Sequence, residues 1–306
     1  MKDTVHFCVT IDTEGDAAVN PNSTYLGIHA VLPRLIEIFD KFGVKATFFI
    51  QEDKICQAGS LFMNTWKELE KKGHEIGYHA HGIIPSSTEE KDKIITQGIS
   101  KLRNAGLNIV SYRAGRFHLT GPLLQILEKN KIKFDSSVVP GLREIFEDGT
   151  ERCNHIEAPT TPYFPSHQDH TKEGDSPILE LPINRYPKFP PDKWGGILIG
   201  GSNEEILFDY FHDVRKDKLI IMLLHSWDSL SYIIRGSVRG YHYGKTKKWA
   251  FDALRRLLSP ERLTNRTPLR WLEKTFQYIT EKNDVRFVTI QQAGEKWLAS
   301  KGEIIT

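Results

Sequence analysis

The sequence predicts an α/β protein built on a mainly parallel sheet, either open or closed into a barrel. Three observations carry this. Short apolar, β-branched runs alternate with helix-period segments along most of the chain. Polar, titratable residues gather where the predicted strands end. The length of 306 residues, with 39% hydrophobic and 26% charged content, suits one large α/β unit, and no segment reads as a linker or repeat.

The elements follow in order. A strand is expected over 5–11, then a helix over 28–42 with apolar residues at helical spacing, then strand KATFFI over 45–50. A helix over 61–72 stops at Gly73, strand 74–79 follows, and a helix over 88–105 stops at Gly106. Next come strand 107–113, helix 121–130 and strand 132–136. Later strands are expected at 178–183, 218–225 and 285–290, among helices at 204–215, 249–258, 269–282 and 291–300. One stretch, about 139–201, breaks the alternation with TTPYFPSHQDH and RYPKFPPDKWGG; it reads as an elaborated loop with a hairpin.

Composition excludes several classes. No run of about 18 apolar residues exists, so no membrane span is expected. A net charge of +2 is too small to argue for a nucleic-acid partner. Three distant cysteines, Cys8, Cys56 and Cys153, make no disulfide framework. The N-terminus is acidic where a secretion signal would be cationic. These features together predict a cytoplasmic protein.

Chemistry collects at strand ends: TIDTEGD, HEIGYHAH, SYRAGRF, FDSS and LLHSWD. In parallel α/β folds, ligands bind at that edge of the sheet. Residues i and i+2 of an extended chain share a face, so Asp12 pairs with Glu14 and His79 with His81. Two carboxylates and two imidazoles suit a divalent ion with an open position and one acid left as base. A lone strand-end histidine is more often a satisfied polar group, the role expected of His6 and His74.

The motifs TIDTEGD, KATFFI, GHEIGYHAHG, SYRAGRF, FDSSV and LLHSWD, in this order and at about this spacing, resemble the signatures of polysaccharide deacetylases, the chitooligosaccharide-deacetylase homology domain or carbohydrate esterase family four. The resemblance runs from about 5 to 228, with RFVTIQQAGEKW similar to the family's last repeat. It implies a distorted (β/α)7 barrel, here one catalytic domain over 1–306, that hydrolyses an acetyl group on a sugar with a divalent metal, zinc by ligand type. By the same resemblance Asp12 is the base, Arg113 its partner, His225 the general acid and Asp135 the acid that orients His225. The resemblance further implies that the backbone N–H of Arg116 serves the oxyanion, that Glu14 and His79 bind the metal, and that Trp227 and Asp228 stand at the mouth, with Asp228 an alternative orienting acid. Three positions depart from the family: Ile83 stands where its second metal histidine falls, making His81 the substitute, Arg116 stands where the family has an aromatic residue, and Val138 replaces a tryptophan.

Two rival functions stay open at this point: an amidohydrolase on a small nitrogenous metabolite, and a metal-free relative acting as a binding protein. From 225 to 271 the charge turns basic, with ten Lys and Arg against three acids. A solvated helical face explains such a run; so does an anionic substrate, a nucleotide- or lipid-diphosphate sugar conjugate met before export.

Overall fold

A computed structural model describes residues 4–14, 28, 31–51, 60–81, 87–145, 149–188, 190–192, 204–214, 218–226 and 268–302. The expected helix at 249–258, Cys56, Ile83, Trp227, Asp228 and the basic run except Arg270 lie outside the described residues.

β1 (Val5–Thr13), β2 (Ala46–Ile50), β3 (Glu75–Ala80), β4 (Ser111–Ala114), β5 (Phe134–Asp135) and β8 (Leu179–Glu180) follow one another across a parallel sheet. β9 (Leu219–His225) pairs with β1, and β10 (Val285–Phe287) pairs with the start of β1. The gap between β8 and β9 is spanned by a side chain: Ile221 N–H donates to Asn184 Oδ1 at 2.5 Å. A curled parallel sheet joined this way is the distorted barrel that the motifs imply. The expected hairpin is present in the insertion as antiparallel β6 (Arg143–Ile145) and β7 (Glu151–Asn154).

Strand alternation sorts the side chains into two apolar layers. Phe7, Val9, Ile11, Phe48, Ile76, Tyr78 and Tyr112 meet the helices outside. Cys8, Phe49, Phe134, Leu179, Leu181, Leu219, Ile221 and Leu223 fill the interior. The outer helices are α1 (Leu32–Phe42), α2 (Ser60–Lys71), α3 (Thr88–Asn104), α4 (Gly121–Lys129), α5 (Glu204–Val214) and α6 (Pro268–Thr280). Local chemistry sets their ends: Gly43 terminates α1 in the left-handed conformation, and Ser87 with Glu90 forms a capping box on α3.

Helix α7 (Ile290–Lys301) closes the barrel end away from the strand C-termini. Its Ile290, Ala293 and Leu298 join the interior layer. Ile290 N–H donates to Thr47 Oγ1, and Gln291 N–H donates to the buried carboxyl of Glu75. Thr289 caps the helix together with Gln292, which is why the strand expected over 285–290 stops at Phe287. The strand expected over 107–113 is shortened likewise. The Ile109 carbonyl accepts from Arg103 Nε, leaving only Ser111–Ala114 in the ladder. Cys8 and Cys153 are buried free thiols.

Candidate active site

Register brings the strand-end residues together. Asp12 of β1 stands opposite His225 of β9, and His79 of β3 stands opposite Arg113 of β4. Two cross-strand pairs thus meet at the C-terminal edge, facing the interior by the alternation that places Cys8, Gly77 and Ile221 there.

Arg113 is the most enclosed charge in this group. Its side chain is 0% exposed and that of Asp12 is 4%. Nη1 donates to Asp12 Oδ1 and to Thr10 Oγ1, both at 2.8 Å. Nε donates to the Ser136 carbonyl at 2.7 Å and Nη2 to Ser136 Oγ at 2.9 Å. The guanidinium also lies 4.3 Å from the centroid of Phe49. That ring fits because residue 77 is glycine: a Cβ there would sit 2.6 Å from it. Burial alone would push the Asp12 carboxyl up. The charges of Arg113, His79 and His225, with the Arg113 hydrogen bond, outweigh it and hold Asp12 below its usual range. Asp12 is therefore ionised at neutral pH.

Glu14, His79 and His81 form the metal-competent part, each offering a ligand atom within 4.8 Å of the others. His81 Nε2 lies 2.9 Å from His79 Nε2 and 3.1 Å from Glu14 Oε2. Atoms bound to one zinc ion at about 2.0–2.1 Å stand roughly 3 Å or slightly more apart, so the cluster has the right span. The tautomer fits as well. His79 Nδ1 lies 2.9 Å from the Arg113 carbonyl, which can only accept; Nδ1 therefore carries a hydrogen, and Nε2 is the nitrogen placed to face an ion. Two imidazole nitrogens and a carboxylate are the donor set of a zinc-type site. His225 Nε2 stands 3.7 Å from the other oxygen of Glu14, beside the cluster. The side chain of His81 is 30% exposed, so the cluster opens toward solvent while the Asp12–Arg113 pair behind it is closed.

The structure corrects one implied contact. Asp135 does not hold His225. Its Oδ1 accepts from Ser137 Oγ at 2.6 Å, and across the β5–β8 ladder it stands opposite Glu180. Phe134 takes the interior face, so Asp135 alternates away from it. Both carboxyls are fully buried, and burial pushes both up, Glu180 further through the charge of Asp135. Two acids this close cannot both ionise at neutral pH, so the pair keeps a proton. The pair still bears on the site indirectly: Ser137 Oγ also accepts from Ala114 N–H at 2.8 Å, and Val138 N–H donates to Glu180 Oε1.

Above the usual carboxylate range the native pair holds more protons than the unfolded chain, so its contribution to stability falls as pH rises. Glu180→Gln should therefore raise stability at pH 8 by on the order of 1–3 kcal/mol, with the gain shrinking near pH 5. Urea midpoints of both proteins at the two pH values check this, since other titrating groups are common to both. An equal difference at pH 5 and pH 8 would remove the shared proton from the account.

After β4 the chain makes a tight turn, Gly115–Phe117, in which Arg116 and Phe117 both have left-handed φ, 58° and 57°. Consecutive non-glycine residues in that region are strained, and such strain concentrates at functional sites. Sequence reasoning passed over several supports. Ser226 donates from Oγ to the Glu14 carbonyl at 3.1 Å and from N–H to the Asp12 carbonyl at 3.2 Å, tying β9 to the end of β1. Thr10, Ser136 and Ser137 carry the Arg113 and Ala114 contacts, and Glu180 is a lone acid in the apolar run ILELPI. That lone acid was the one available signal. His6 and His74 lie apart from the site. His6 lines a small cavity at the opposite end of β1, and His74 accepts from Ala46 N–H among Phe39 and Phe48.

Residues 20–105 match the family model described as polysaccharide deacetylase, a span that includes His79 and His81. No curated protein matches the chain. Among solved structures, a protein assigned as a polysaccharide deacetylase from Mycobacterium smegmatis superposes with TM-score 0.60 at 17% identity, over 98% of this chain and 93% of that one. Another so assigned, from Pseudomonas aeruginosa PAO1, gives 0.54 at 17% identity over 96% and 90%. The Puue allantoinase gives 0.59 at 15% identity over 98% and 91%. The resemblance drawn from the motifs thus holds in the family model over its span and in the fold across the chain. No helix among the described residues is long and apolar enough to cross a membrane.

Proposed function

We propose, starting from the likeness to polysaccharide deacetylases, that the chain is a metal-dependent hydrolase removing an acetyl group from an N-acetylated sugar. One observation carries the reading: a Glu14–His79–His81 cluster of metal-ligand chemistry beside a buried Asp12–Arg113 pair. Glu14, His79 and His81 would hold a divalent ion, zinc by donor type, which would supply Lewis acidity toward a carbonyl and a water. The remaining chemistry belongs to the chain. Asp12, kept ionised by Arg113, accepts the proton of the attacking water. The N–H of Arg116 donates to the developing oxyanion. His225, next to Glu14 and opposite Asp12, gives a proton to the leaving amine. Trp227 and Asp228, which follow it in sequence, are assigned by the same likeness to binding the sugar. Acetate and a free amino sugar result.

The basic run of 225–271 supports a finer reading, a diphosphate-linked glycan precursor deacetylated in the cytoplasm. The fold lies as near an allantoinase as a deacetylase, which keeps the amidohydrolase reading as the rival. The test is acetate release from N-acetylated sugars and their diphosphate conjugates, with allantoin as a ureide arm, before chelation, after it and after zinc return. Acetate release that disappears with chelation and returns with zinc is expected. Ureide hydrolysis without acetate release overturns the sugar in favour of the rival. A chain that binds no zinc and turns over neither substrate is the inactive relative.

A further inference from the structure

Ala80 and Ala114 are register partners, so the next positions along the two strands are His81 and Gly115, at the end of the sheet. Gly115 is buried, and its φ is not among the left-handed ones, so its backbone alone does not call for glycine. Space does. A Cβ built on residue 115 would lie 2.7 Å from Cδ2 and 2.8 Å from Cγ of His81, and 2.5 Å from the Ala80 carbonyl oxygen. Carbon atoms do not approach so closely, so the imidazole packs directly on the bare α-carbon of Gly115.

The position of that ring matters because Cδ2 is bonded to Nε2. Nε2 is the atom that stands 2.9 Å from His79 Nε2 and 3.1 Å from Glu14 Oε2. Relieving a 2.7 Å contact takes several tenths of an ångström, whereas metal–ligand distances tolerate about 0.2 Å. A methyl group at 115 would therefore push the ligating edge of His81 out of reach of a common ion.

We propose that Gly115 is a positioning residue for the metal centre: with no side chain, it gives His81 the room to serve as third ligand beside Glu14 and His79. This rests on the metal reading above. The test uses cobalt(II) as probe, read by its d–d absorption and by competition with a chelator. The wild-type chain is expected to take up one cobalt per chain, and Gly115→Ala to bind it about 10- to 100-fold more weakly with a changed spectrum. In a His81→Ala background, adding Gly115→Ala is expected to cost clearly less cobalt affinity than it does in the wild type, because the ring it would displace is gone and only the Ala80 carbonyl contact remains. Wild-type affinity and spectrum in Gly115→Ala overturn the proposal, as do losses that simply add in the double variant. A wild-type chain that takes up no cobalt at all refutes the metal reading itself, a separate result.

The Ala80 carbonyl is backbone and does not swing aside, so circular dichroism and the thermal midpoint establish whether Gly115→Ala folds or is lost to misfolding. In that event the wild-type protein loaded with zinc decides by NMR. A nuclear Overhauser contact between His81 Hδ2 and the Gly115 α-protons supports the proposal. Its absence overturns it.

Discussion

Glu14→Ala and His79→Ala should each lose most of the bound zinc, whereas Asp12→Asn and His225→Ala should keep it and lose turnover by at least about a hundredfold. The contrast comes from where each side chain sits. Glu14 and His79 contribute two of the three ligand atoms gathered within 4.8 Å, and removing either leaves a pair. His79 is also the best prepared of them, its ring fixed by the Arg113 carbonyl. Asp12 is committed to Arg113 instead and lies behind the cluster with 4% of its side chain exposed. The isosteric amide keeps the shape and removes the basicity, so chemistry fails while the metal stays. His225 Nε2 stands 3.7 Å from Glu14, too far for a firm hydrogen bond. Metal content by mass spectrometry beside acetate release separates the two classes. Stoichiometric zinc in both Glu14→Ala and His79→Ala sinks the ligand assignment, and near wild-type turnover in Asp12→Asn or His225→Ala sinks that residue's proton role.

Strand ends and i, i+2 spacing were enough to bring most of this site together from sequence. Period-2 alternation is a local property, so the shared face of His79 and His81 follows from the chain itself. Register is not local. Nothing in FDSSV says that Asp135 stands opposite Glu180, because β8 arrives some forty residues later after an insertion with no strand periodicity. Phe134 takes the interior, Asp135 is turned to the other face, and the family's orienting role does not transfer to it. Gly115 was invisible for a related reason: its φ is ordinary, and only the cross-strand neighbour makes a side chain impossible. Helix ends, by contrast, were legible to within a few residues where caps are chemical, as at Gly43, Ser87 and Thr289.

Replacing Arg113 should cost the fold more than any other single change at the site. Arg113→Met keeps much of the volume over the Phe49 ring but strips Asp12 of its cation, and Thr10 and Ser136 of their donors. Breaking a buried pair from one side typically costs about 3–5 kcal/mol, because the remaining charge is left in a medium that cannot solvate it. The pH dependence identifies the cause. In the wild type Asp12 is held low, so its contribution is full above the ordinary carboxylate range and is lost only in acid, as pH falls through the depressed value. Without Arg113 the leading influence on Asp12 is burial, which pushes its pKa up. The variant's native state then holds a proton that the unfolded chain has released, and its stability falls as pH rises. The gap between the two proteins should therefore widen from pH 5 to pH 8 in urea unfolding. Adding Asp12→Asn to Arg113→Met should recover a substantial part of the loss at pH 8 by removing the stranded charge. A gap that is the same at both pH values, with no recovery in the double variant, would mean that Arg113 holds the site by shape and hydrogen bonding, and that the charge on Asp12 is stabilised by something else.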